Sequence, residues 1–268
     1  MSGEVLMAAG EQGVVHVTLR HAGRLNAMSR AMWRQLRAVF EDIQGRGTAV
    51  RCVLVAGEGG AFCAGGDISE YPGFRFDAAA LRDFHENDVW GGLSAMLECD
   101  APVVAQISGA CMGAGVEIAS CCDIRIAGSS ARFGAPIAKL GFPMAPREAQ
   151  LVAAAVGDAV ARQMLLEAAT FSATDMQARG FLSRLVPDDA VAAEALASAL
   201  RVAALAPEAA RMNKQTFRAL KQRQAQHSFA PNAMKNVANH VSDPYGYASS
   251  AEHREGIAAF LEKRQPLF

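Results

Sequence analysis

Short apolar strand segments that run straight into glycine-rich turns constrain this chain more than any other feature. Residues 52–56 (CVLVA) and Val103–Ile107 (VVAQI) are continuous apolar runs, the pattern of strands buried on both faces. The first opens into a loop over residues 57–67 that contains Gly59, Gly60, Gly65 and Gly66. The second leads to Gly109 and a further glycine-rich turn, which runs into a predicted helix near residues 115–120. Residues 14–19 (VVHVTL) and 124–127 read as two more strands. Ser29 is placed to cap a helix in which Met32, Trp33, Leu36, Val39, Phe40 and Ile43 recur at helical spacing until Gly45 and Gly47 end it. Residues 78–97 read as one more helix, with a mixed face. This alternation of short strands and helices predicts an α/β fold, and a strand–strand–helix rhythm occurs at least twice.

Past residue 140 the pattern changes. Gly141, Pro143 and Pro146 interrupt the chain, and helices are predicted over 148–156 and 158–168. From about residue 189 the sequence is Ala-rich and helical. A main core over 1–200 with a helical segment over 201–268 is therefore expected, the segment packing on the core or on a neighbouring subunit. Apolar residues make up 51% of the chain, which excludes a disordered polymer. With 26 basic and 27 acidic residues there is no charge excess to attract nucleic acid, although a local basic cluster for a phosphate is compatible with that balance. The six cysteines lie mostly in apolar runs without a CxxC pair, which favours buried, reduced thiols and a cytoplasmic protein over a disulfide framework or a zinc site. Adjacent Cys121 and Cys122 would face opposite ways on an extended chain. The first residues lack a basic region followed by an apolar one, and no apolar run reaches the ~20 residues of a membrane span, so a soluble protein without a membrane partner is expected.

The two turns, GAFCAGGDI at 60–68 and ISGACMGAGVE at 107–117, carry the chemical signal. Glycine lets the backbone approach a ligand and adopt positive φ, and a helix N-terminus presents unpaired N–H groups. Two such turns facing each other could give two N–H donors to one developing oxyanion. The same residues are also compatible with plain packing turns or with a phosphate site. Neither GxxxxGK[ST] nor GxGxxG occurs, which weakens nucleotide readings. No HExxH or paired His–carboxylate spacing suggests a metal, and His227 and His240 are assigned no role.

Taken together, RLNAM at 24–28, AFCAGGD at 61–67, GAGVE at 113–117, CDIRIA at 122–127 and RFG at 132–134 resemble the enoyl-CoA hydratase/isomerase (crotonase) superfamily in order and spacing. Residues 172–180 and the tail over 256–268 are similar to later elements of that family. The resemblance implies an α/β crotonase-like spiral of ββα units with a C-terminal helical trimerisation region, as a homotrimer or hexamer. It implies an enzyme acting on an acyl-CoA thioester, with coenzyme A present as part of the substrate and no separate cofactor. By position, Gly66 and Ala114 would supply the oxyanion-hole N–H groups. Ala64, Gly66 and Ile68 would meet the adenine of CoA through their backbone, Arg24 would lie near the CoA phosphates, and Lys263 would approach the nucleotide end. Asp67 is expected to fix its turn.

Hydratases of this family pair two glutamates. Glu117, in the first turn of the helix after Ala114, matches the first. The second is expected directly after the FGxP element, here FGAP at 133–136, where this chain has Ile137, a residue that cannot transfer a proton. Downstream, Glu148 either replaces the missing acid or simply opens the next helix behind Pro146, and helix-start preferences favour the second reading. His85, near Asp83, Glu86 and Asp88, is expected on a solvated helix face, while Phe84 and Trp90 could shape an acyl site. The expected activity is that of an enoyl-CoA hydratase or isomerase. A decarboxylase, thioester hydrolase or lyase of the same superfamily, or a non-catalytic acyl-CoA-binding relative, stays open because of Ile137.

Overall fold

Strand β1 (Glu4–Ala9) turns through Gln12 and Gly13, both at positive φ, into β2 (Val14–Arg20), and the two strands pair antiparallel. The computed structural model to which these elements belong describes residues 2–226 and 250–268; His227 and His240 fall outside the described residues. Ser29 caps α1 (Arg30–Gly45), its side chain accepting from the Met32 N–H, and Met32, Trp33, Leu36, Phe40 and Ile43 are buried along one face. Strand β3 (Cys52–Gly57) joins β2 in parallel.

The helix predicted over 78–97 is in fact three pieces: α2 (Ala78–Asp83), a π-helical turn (Phe84–Val89) and α3 (Trp90–Glu98). A π turn adds a residue to one helical turn and rotates the side chains that follow. Here it buries Asp88 against α1, where Arg30 and Arg34 both bond it, the latter at 2.7 Å.

Beyond α3 the chain runs through β4 (Val103–Ile107), β5 (Ala110–Met112), α4 (Ala114–Cys121), β6 (Ile124–Gly128) and β7 (Arg132–Gly134). Next come α5 (Pro146–Val156), α6 (Asp158–Leu166), β8 (Thr170–Ser172), α7 (Ala173–Ala178), β9 (Arg184–Val186) and α8 (Val191–Ala203). One sheet has the order β1-β2-β3-β4-β6-β9 and is parallel from β2 onward; a small sheet has the order β5-β7-β8. Two repeats, β4-β5-α4 and β6-β7-α5, place one strand in the large sheet and the next in the small one before turning into a helix. This is the spiral of ββα units.

Strand side chains alternate between faces. In β3, Val53 and Val55 enter the main core with α1 and α3, whereas Cys52 and Leu54 face Ala195, Ala199 and Ala203 of α8. That two-sided cover explains why CVLVA has no polar residue. Each large side chain removed from water here, Trp33 and Phe40 among them, contributes about 1.5–3 kcal/mol. All six cysteines are buried. Cys121 ends α4 and Cys122 caps it, so this pair lies at a helix terminus and not on an extended segment.

The C-terminal part adds α9 (Pro207–Gln226) and α10 (Ala251–Glu262). Three cations of α9 clamp it to the core: Arg211 donates to Gly47 O (2.9 Å), Lys214 to Ala101 O (2.8 Å) and Arg218 to Asp100 (2.7 Å). Helix α8 covers the outer face of the large sheet through Ala195, Ala199 and Ala203. Among the described residues no single helix is long and apolar enough to cross a membrane.

Candidate active site

The two glycine-rich turns face each other and are laced together by backbone. Phe62 N–H donates to Ser108 O (2.7 Å), Cys63 N–H to Ala110 O (2.9 Å) and Met112 N–H to Cys63 O (2.8 Å). Gly113, at φ 48° and ψ −110°, breaks the chain sharply before α4 begins at Ala114. Gly115 lets α4 lie against the first turn, since a β-carbon there would stand 2.5 Å from Cys63 O, with backbone as its obstacle. Gly115→Ala therefore separates the turns. We expect it to lower stability by about 1–3 kcal/mol and to abolish turnover, read by thermal melting alongside an activity assay.

The RLNAM segment pins the first turn from behind. Leu25 and Asn26 both have positive φ, which aims the Asn26 amide at Glu58 O (2.9 Å) and Ala61 O (2.8 Å). Ala64 N–H donates to Leu25 O, Met28 N–H to Gly65 O and Asp67 N–H to Met28 O. Asp67 fixes its turn as expected, accepting from the Ser69 N–H (3.1 Å) and hydroxyl (2.7 Å). Amid this network the N–H groups of Gly66 and Ala114 donate to no acceptor among the described residues. An unpaired donor costs free energy unless a ligand or water satisfies it, and both belong to residues lining one cavity of about 230 Å³.

Apolar walls from Trp33, Ile68, Phe84, Met112, Ile137 and Phe142 enclose that cavity, and Glu117 and Glu148 enter it together. Glu117 lies in the first turn of α4, with 8% of its surface exposed. Glu148 does sit in the first turn of α5 behind Pro146, and yet it is inside the site, 3% exposed. Glu148 thus opens its helix, as the favoured reading has it, and lines the cavity as well. Burial, and secondarily the charge on Glu148, push the Glu117 carboxyl up to about 8. His85 is half-buried on the π turn, its Nδ1 3.0 Å from Glu148 Oε1. It lines the cavity instead of standing on a solvated helix face.

Other predicted positions separate. Ala64, Gly66 and Ile68 line the cavity. Arg24 is half exposed, its guanidinium 3.2 Å from Asp67 Oδ1, and Lys263 is exposed beyond the end of α10; neither lines the cavity. Phe84 is part of the wall, whereas Trp90 stands behind it with the Arg147 guanidinium 5.6 Å from its ring centroid. Tyr71 and Arg75, unremarked in the sequence, also line the site. A β-carbon on residue 66 would lie 2.2 Å from Tyr71 Oη, which sets that ring beside the first N–H donor. Both follow the AGGD segment by a few residues, but neither has a spacing that singles it out.

The profile of the enoyl-CoA hydratase/isomerase family matches residues 9–268, and the chain belongs to that family. Among similar curated proteins, a probable enoyl-CoA hydratase of Rhizobium meliloti (strain 1021) is 31% identical over 100% of this chain and 99% of its own. The 2,3-dehydroadipyl-CoA hydratase of Escherichia coli (strain K12) is 29% identical over 98% of each chain. Among solved structures, an enoyl-CoA hydratase/carnithine racemase from Magnetospirillum magneticum superimposes with a TM-score of 0.88 at 32% identity, covering 98% of this chain and 94% of that one. The protein is thus an enzyme of the hydratase/isomerase family with the crotonase fold.

Proposed function

We propose that this enzyme hydrates a 2-enoyl-CoA, with Glu117 and Glu148 as its two proton-transfer groups. The observation that carries the proposal is the convergence of two unpaired N–H groups and two buried carboxyls on one cavity. The thioester oxygen accepts from Gly66 and Ala114, which draws electron density from the conjugated double bond and leaves C3 electrophilic. Glu148, oriented by His85, takes a proton from water as the water oxygen bonds C3. The resulting enolate is held by the two N–H groups until Glu117 delivers a proton to C2. A carboxyl held protonated and a second one ionised are what this sequence of steps needs.

Coenzyme A then enters as part of the substrate, with Ala64, Ile68, Arg24 and Lys263 on the CoA side. Exposed Phe217, Leu220, Ile257 and Leu261 on α9 and α10 favour assembly with further copies of the chain. The test is loss of enoyl absorbance from crotonyl-CoA with purified protein. Retained acyl-CoA binding without any loss of absorbance rules the hydration reading out. Because Glu117 must hold its proton, kcat/KM is expected to fall as pH rises through about 8. A profile flat to well above that pH removes Glu117 as the donor.

A further inference from the structure

The active-site wall holds a cation without a carboxylate partner. Around it, Arg30 pairs with Asp83 and Asp88, Arg34 with Asp88 and Arg147 with Glu86. Arg75, half-buried and lining the cavity, has no ion pair and no side-chain hydrogen bond among the described residues. Its position is nevertheless built. The guanidinium carbon stands 3.5 Å from the ring centroid of Phe142 and 4.7 Å from that of Tyr71. Stacking on ring faces leaves the in-plane N–H groups of a guanidinium open, in the fork that matches a carboxylate. Burial lowers its pKa from the ordinary arginine range, the mark of a cation short of compensation.

The location selects the ligand. Tyr71, on which Arg75 stacks, adjoins Gly66, and Arg75 also feels the charge of Glu148 without a hydrogen bond to it. The cation therefore lies one aromatic ring from the first oxyanion donor and within electrostatic reach of Glu148. Resting on the reading of this cavity as an acyl-CoA site, we propose that Arg75 is a specificity residue that binds a carboxylate at the far end of a short acyl chain. The preferred substrate is then a dicarboxylic acyl-CoA thioester. Charge on Glu148 opposes entry of a second carboxylate, so discrimination in its favour falls to Arg75.

The experiment measures binding first, which needs no turnover. Wild-type protein and Arg75→Met are titrated calorimetrically with glutaryl-CoA and adipyl-CoA, and with the uncharged pentanoyl-CoA and hexanoyl-CoA. Wild type should bind a dicarboxylic thioester about 10- to 100-fold more tightly than its uncharged counterpart, the range of a charge-assisted hydrogen bond. R75M should lose that preference and bind hexanoyl-CoA as before. Equal wild-type affinity for charged and uncharged chains overturns the proposal. So does an equal loss by R75M on all four ligands, which would assign the anion to the CoA phosphates. Turnover of 2,3-dehydroadipyl-CoA against trans-2-hexenoyl-CoA adds a second readout: a kcat loss common to both substrates, with no change in KM ratio, shows Arg75 acting through Glu148 and also overturns it. Failure of wild type to hydrate either thioester, with the binding preference intact, rejects the hydration reading and leaves the carboxylate site standing.

Discussion

Glu117→Gln is expected to cut kcat by about 10²–10⁴-fold, the usual contribution of a positioned proton donor, while acyl-CoA affinity changes little. Glutamine keeps the shape of the side chain and removes only its transferable proton. The N–H groups of Gly66 and Ala114 are backbone, so oxyanion binding survives the change. The same variant has a signature in stability. The native carboxyl is pushed up to about 8 from an ordinary 4.5, so between those values the folded chain binds more protons at this group than the unfolded chain. Stability falls with pH wherever the native state holds the extra proton. The wild-type Tm should therefore decline from about pH 4.5 through pH 8, and that part of the decline should be missing in Glu117→Gln. Unchanged turnover in the variant removes Glu117 from the chemistry. An unchanged Tm profile says that its burial is not what sets its proton affinity.

Much of this site is legible in the sequence because its donors are backbone. Glycines mark where the chain must pass close to itself, but the turns alone fit packing or a phosphate equally well, and it is the family resemblance that singles out Gly66 and Ala114 as donors. Glu117 is legible through the same resemblance; by itself an acid three residues after Ala114 on a short helix reads as an ordinary helix-start residue. Glu148 is half legible: Pro146 signals a helix start, and the helix is there, but the packing of that start against α4 is a long-range fact with no local trace. His85 is hidden more deeply. Its acidic sequence neighbours Asp83 and Glu86 suggest a solvated face, whereas its actual partner, Glu148, is 63 residues away on α5 and leaves no local trace. Arg75 lies in the turn between the 3₁₀ helix Ile68–Gly73 and α2, where no periodicity exists to place a side chain. In this chain the backbone part of the site is written locally, and the part that sets reaction and substrate depends on contacts between distant elements.

The replacement of the expected glutamate by Ile137 leads to the second large effect. Ile137 begins a 3₁₀ turn, is partly buried and lines the same cavity as Glu148, so in the proposed mechanism the second proton-transfer group stands in the first turn of α5 and not directly after FGAP. Glu148→Gln should then lower kcat by about 10²–10⁴-fold, as expected for a lost base. It should also move the alkaline limb of the pH profile downward, because the charge on Glu148 is one of the two causes that raise Glu117. Ile137→Glu gives a reciprocal test. In the wild-type background it puts a third carboxyl into a cavity of about 230 Å³ that already holds two, and activity should drop with the cost of that charge. In the Glu148→Gln background the new carboxyl has no such rival and can take the proton from water, so activity should rise above that of Glu148→Gln alone. Additive losses in the double variant would mean that position 137 cannot reach the substrate, and that Glu148 is no substitute for an acid at that place.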